Sequence, residues 1–166
     1  LGNGLEPIIL DEFDTVIVAG MGGCLITEIL ENKIDKAKSI KNLILQPMNS
    51  AEVLREWLYN NRFKIIDEKL VIEREKVYTM IRATFDDKIK NYNLIDCYLS
   101  KSLLENKDPL MKKYVMKLIT KYDKIINGLQ KSRYMYYKIN EYKYILNDLK
   151  KINEKLDCGE FYLWQS

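Results

Sequence analysis

DTVIVAGMGGCLITEIL, residues 14–30, changes character twice. Thr15 to Ala19 is a continuous, largely β-branched run, the signature of a strand buried on both faces. Gly20, Met21, Gly22 and Gly23 stop it abruptly, and Leu25, Ile26, Ile29 and Leu30 then return at helical spacing. The stretch therefore reads as a strand, a bare backbone turn and a helix. In parallel α/β sheets ligands sit beyond the carboxyl ends of the strands, and glycines there let a ligand approach the main chain with no side chain in the way. The same glycines also fit a tight turn that serves helix packing alone. Phosphate cradling is disfavoured, because G-K-[ST] is absent and Leu25 stands where the last glycine of G-x-G-x-x-G belongs.

Outward from this stretch the alternation continues. NLILQP, residues 42–47, is a second buried strand stopped by Pro47, and Ser50 is placed to cap AEVLREWLYNNR with Val53, Leu54, Trp57 and Leu58 on one face. FKIIDEKLVIE and KVYTMIRATF, residues 63–73 and 76–85, change to a period of two, and Arg74 and Glu75 between them predict a hairpin. The order β-α-β-α-β-β predicts an α/β fold: parallel strands with helices, closed by an antiparallel pair at one edge.

Beyond Asp108 the period is heptad. Val115, Ile119, Tyr122, Ile126 and Leu129, then Ile145, Leu149, Ile152 and Leu156 after a break near 131–133, predict a coiled-coil-like antiparallel helical hairpin. This gives an α/β domain over residues 1–100 and a basic helical appendage over 101–166. Charge follows the boundary: residues 1–100 hold 13 Lys and Arg against 16 Asp and Glu, whereas 101–157 hold 14 against 7, so the appendage is the basic part.

Composition narrows the chemistry. The chain has no histidine, which removes imidazole bases and His-based triads, and its three cysteines are far apart, so neither a zinc site nor a disulfide framework is indicated. No metal, no membrane span and a reduced, cytoplasmic setting are the expectations. Gln46-Pro47 falls on the same rim as the glycine loop, where an amide suits a base edge, though a Pro that merely ends a strand reads the same way. Tyr78 reads as core. Lys112, Lys113, Lys117, Lys121 and Lys124, interleaved with Tyr114 and Tyr122, make a face able to follow phosphates or one that is simply solvated.

Taken in order, TVIVAGMGG, LILQP with LREWL, IIDEKLVIE…KVY and LLENKDPLMKKY resemble the bacterial tRNA (adenine(22)-N1)-methyltransferase family. The resemblance implies the C-terminal part of a Rossmann-like class I methyltransferase sheet carrying a C-terminal helical hairpin. It also implies S-adenosyl-L-methionine as cofactor and tRNA as partner. Asn3, Gly4 and Leu5 match the family's GDGL turn at the cofactor adenine, with Asn3 in place of the acidic residue. Ala19, Gly20, Met21, Gly22 and Gly23 match the loop between the cofactor's methionine end and the target base. Gln46 and Pro47 match QPN, but Met48 replaces the Asn, and a slip of one residue brings Asn49 there. The family's GP before the hairpin is absent, Lys101 and Ser102 occupying that region.

The implied roles are catalytic for Met21, Gly22, Gln46 and Pro47, cofactor-binding for Asn3, Gly4, Leu5, Ala19, Gly20 and Met21, and RNA-binding for Lys112, Lys113, Lys117 and Lys121. The family's first strand and cofactor-binding glycine turn precede GDGL, where this sequence starts. The chain is therefore expected to be N-terminally truncated, inactive alone and prone to self-association through an uncovered sheet edge. A non-catalytic RNA-binding or interaction fragment is the alternative.

Overall fold

The computed structural model describes residues 4–7, 9, 13–89, 91–129 and 136–158. Its first half builds a single four-stranded sheet from β1 (Thr15–Met21), β2 (Asn42–Pro47), β3 (Phe63–Glu73) and β4 (Lys76–Phe85), in the order β1-β2-β4-β3. β1 and β2 are parallel, while β4 runs antiparallel to both β2 and β3. The reversed strand thus lies inside the edge, and β3 points the same way as β1 and β2. The Arg74–Glu75 turn that makes this possible is two residues long, with φ of 45° and 68°, the doubly left-handed backbone that matches strand twist.

Helices α1 (Gly23–Glu31), α2 (Ile34–Ser39) and α3 (Ala51–Asn60) connect the parallel strands. Ile26 and Leu30 of α1, Leu54 and Leu58 of α3, and Leu43, Leu45, Phe63 and Ile81 of the sheet are fully buried in one core. Each such side chain contributes about 1.5–3 kcal/mol relative to exposure.

Several expectations are corrected here. β1 is the sheet's edge among the described residues; Val18 is buried but Ile17 is 67% exposed, so the apolar run is not covered on both faces. The strand does not end before Gly20 but passes through it to Met21. Leu25 faces outward on α1 and Val53 on α3. Ser50 makes no side-chain cap, because its own backbone is left-handed, φ 50°. Tyr78 is half-buried.

A 3₁₀ turn (Leu94–Cys97) and α4 (Lys101–Glu105) follow the sheet. The chain divides into two compact units, Leu1–Asp108 and Pro109–Ser166. α4, assigned from sequence to the appendage, lies in the first unit, where Asn106 just beyond it donates to Asp67 Oδ1 and Glu68 O of β3 at 2.8 and 2.9 Å. The second unit contains α5 (Met111–Leu129) and α6 (Tyr136–Asp157), which run antiparallel: Lys112 near the start of α5 pairs with Asp157 at the end of α6. Val115, Ile119, Tyr122, Ile126, Ile145, Leu149 and Ile152 are buried, and Tyr114, Leu118 and Leu146 widen the stripe beyond a strict heptad seam.

Candidate functional site

The carboxyl ends of β1 and β2 are stitched into one rim. Ala19 lies opposite Gln46 and Met21 opposite Pro47, so Gly20 is the extra residue of a bulge, with φ +78°. Its N–H donates to Gln46 Oε1 at 3.0 Å. Further along, Met48 N–H donates to Met21 O at 2.8 Å and Gly23 N–H to Asn49 O at 2.9 Å. A Cβ at Gly20 would meet nothing within 4 Å among the described residues, which leaves the main chain there open. At Gly22 a Cβ would meet Asn49 Oδ1 at 2.9 Å, and at Gly23 it would meet Ser50 O at 2.1 Å. The three glycines have three different reasons: left-handed backbone, a side chain laid over the turn, and backbone packed against backbone.

Gln46 is oriented by this arrangement. With Oε1 held by Gly20, its Nε2 has, among the described residues, only Pro47 O at 3.5 Å and Met48 Sδ at 3.6 Å, both long contacts. Asn49, exposed beside Gly22, is an amide at the rim that the sequence indicated only through a slipped match. The side chain of Met21 packs against the core, leaving its backbone at the rim.

The other sequence-derived residues lie elsewhere. Gly4 has φ +56° and sits so close to Ile29 that a Cβ would come within 2.8 Å of it, about 9 Å along α1 from Gly23. Leu5 is core, and Lys36 Nζ takes the carbonyls of Leu5 and Glu6 at 3.4 and 2.7 Å. Asn3 lies outside the described residues. On α5, Lys112, Lys113 and Lys117 are exposed and Lys121 half-exposed. Lys117 and Lys121 lie over the rings of Tyr114 and Tyr122, 5.9 and 5.1 Å from the centroids.

No titratable side chain belongs to the rim contacts just described. Among the described residues no group of three or more His, Cys, Asp or Glu could hold a metal, and no helix is long and apolar enough to cross a membrane. Burial pushes the Cys97 thiol up to about 12, so it is neutral and unreactive near pH 7. Open backbone and oriented amides suit a reaction in which the transferred group arrives already activated and the protein positions the acceptor.

A sheet with one reversed strand set inside its edge, and a glycine rim where its parallel pair ends, has the strand arrangement of a Rossmann-like methyltransferase sheet. The sequence model of the TrmK family, tRNA (adenine(22)-N(1))-methyltransferase, matches residues 1–155, and the chain belongs to that family. The tRNA (adenine(22)-N(1))-methyltransferase of Bacillus subtilis strain 168 is 44% identical over 92 residues, 55% of this chain and 39% of that enzyme. A protein of the NADB-Rossmann superfamily from Streptococcus agalactiae superposes with a TM-score of 0.77 at 30% identity, covering 92% of this chain and 66% of that one. A Streptococcus pneumoniae protein crystallised in complex with S-adenosyl-L-methionine gives 0.68 at 29% identity, covering 87% of this chain and 66% of that one. The chain thus spans less than two thirds of the length of these relatives.

Proposed function

We propose that the natural protein containing this sequence transfers a methyl group from S-adenosyl-L-methionine to N1 of an adenine in tRNA. The observation that carries the reading is the Gly20–Gln46 junction, an open backbone bulge bonded to an oriented amide, in a chain of the TrmK family. The residues fit such a cofactor: among the described residues nothing lies within 4 Å of a Cβ at Gly20, which leaves room for a ligand against the backbone. Ala19, Gly20 and Met21 would line its methionine end, and the turn of Asn3, Gly4 and Leu5 its adenine. When bound, it supplies a methyl group already activated as a sulfonium.

The chain's own residues then hold the acceptor. Adenine N1 normally faces a pairing partner, so the base must be unstacked and presented to the rim. Gln46 Nε2 gives up only long contacts to donate to a ring nitrogen, and Asn49 Oδ1 offers an acceptor to the exocyclic amine. Gly22 and Pro47 keep these amides in place. Transfer of labelled methyl to an unmodified tRNA transcript tests the reading. Gln46→Ala in the natural protein is expected to lower kcat about 100-fold, the usual cost of a misplaced reactant, with tRNA affinity unchanged. No label in tRNA, or full turnover by the variant, rejects it.

α5 supplies the RNA-holding surface in this reading. Lys113 and Lys117 are both exposed on this face and serve as the probes. Replacing both with Gln should reduce the slope of log affinity against log salt by about two, since each phosphate contact contributes about 0.9. Filter binding across a salt series checks this, and an unchanged slope makes the face merely solvated.

A further inference from the structure

A second cavity, of about 210 Å³, opens at the other end of the sheet. One wall is the start of β3, where Ile65 lies opposite Ala83, Ala83 opposite Leu43, and Leu43 opposite Val16. That row is four residues of β2 away from Pro47, about 13 Å along the strand. The cavity therefore shares no wall with the glycine rim, and no role above uses it.

Its lining has a consistent chemistry. Tyr59 of α3 and Tyr92 stack with centroids 4.9 Å apart and planes 26° from parallel, and Tyr92 is fixed by donating to Asn60 Oδ1 at 2.8 Å. Burial, the largest cause in each case, holds both hydroxyls above the usual tyrosine range, so they remain neutral donors. The Tyr59 hydroxyl has no hydrogen-bond partner among the described residues. Ser100 is 1% exposed and accepts from Leu103 N–H at 3.1 Å, which leaves its hydroxyl proton to donate. Lys64 and Lys101 bring two ammonium groups with no acidic partner among the described residues. The one carboxylate in the lining, Asp96, is occupied by the Asn93 N–H at 2.8 Å.

Aromatic rings, unused donors and two cations around a small apolar space suit a planar base carrying a phosphate. The volume is below the roughly 300 Å³ at which sites for drug-sized molecules begin, so it takes one ring system rather than a whole cofactor. The geometry points to a site for a single unpaired nucleotide of the RNA substrate, its base against Tyr59 and Tyr92 and its phosphate between Lys64 and Lys101. Single-stranded nucleic acid is commonly held this way, by aromatic stacking beside a cationic track. This rests on the tRNA reading above and adds a second anchor, remote from the methylated base.

The test uses the natural protein and two probes. Adenosine 5′-monophosphate, titrated by NMR, should shift the amides of Ser100 and Leu103 saturably, and Lys64→Gln/Lys101→Gln should abolish the shift; both lysines are exposed, so the variant should fold. With tRNA, the double variant should raise KM about tenfold at unchanged kcat and lower the salt slope by about one, since the site holds a single phosphate. No saturable shift with the nucleotide, or a KM and slope equal to the parent's, overturns the site. A natural protein that methylates no tRNA refutes the function proposed above, and the nucleotide titration then decides this site by itself.

Discussion

Replacing Gly23 with alanine is expected to reduce the proposed methyl transfer about 100-fold. The added Cβ would sit 2.1 Å from Ser50 O, 2.8 Å from Ser50 C and 3.0 Å from Asn49 O, all of them backbone atoms. No rotamer relieves such contacts, so the loop after β2 must retreat by about 1 Å, a displacement that costs on that order in rate when it misplaces reacting groups. The retreat also breaks the Gly23 N–H to Asn49 O bond and draws the amide of Asn49 away from Gly22. Overpacking should cost about 1–3 kcal/mol of stability as well. Gly22→Ala is the informative control, because its obstacle is the tip of an exposed side chain that can rotate. Urea titration and single-turnover methylation of both variants check this, and a Gly23→Ala enzyme with parental turnover would refute the geometry of the rim.

Arg55→Ala should bring the first unit close to unfolding. Arg55 and Glu68 are both fully buried, and all three guanidinium nitrogens are engaged: Nε reaches both Glu68 oxygens at 3.2 and 3.1 Å, Nη2 reaches Oε1, and Nη1 donates to Cys97 O at 2.8 Å. Thr79 completes the carboxylate's partners from β4. Truncating one member leaves the other charge buried without compensation, a loss of about 3–5 kcal/mol from a total that is usually only about 5–15. Arg55→Met combined with Glu68→Leu should recover most of it, since an apolar pair of similar volume avoids the desolvation penalty. Denaturant midpoints of the three variants measure this, and alkylation of Cys97 should speed up in the single variant as its carbonyl loses the arginine. A cost below about 1 kcal/mol for Arg55→Ala would contradict the buried pair.

That pair also shows where the sequence is silent. An arginine and a glutamate amid apolar residues look like the solvated sides of a helix and a strand; only the fold brings them together. By contrast, β3 and β4 have the bounds that their two-residue period gives, because alternation and burial of one face are the same fact there. β2 was legible for a related reason, being flanked by other strands. β1 has the same apolar composition, yet Ile17 is exposed, since burial of a run depends on what stands beside it. α2 and α4, six and five residues long, are too short for a period to declare itself. At the rim, three glycines indicated exposed backbone, but only the bulge at Gly20 explains why Gln46 is the partner. The pocket at Tyr59 and Tyr92 joins residues of two segments that no motif links.

Because β4 lies between β2 and β3, the two strands of the hairpin are not equivalent under load. Among the described residues β3 pairs with β4 alone within the sheet, so it can peel away and leave three strands standing, whereas β4 cannot leave without carrying β3 with it. An outer strand of this kind would ordinarily be the first to fray. Here Arg55 reaches from α3, the helix that follows β2, across to Glu68 in the middle of β3. The ion pair therefore acts as a clasp over the hairpin, so that peeling from either end can pass the middle of β3 only by pulling a charge out of the interior.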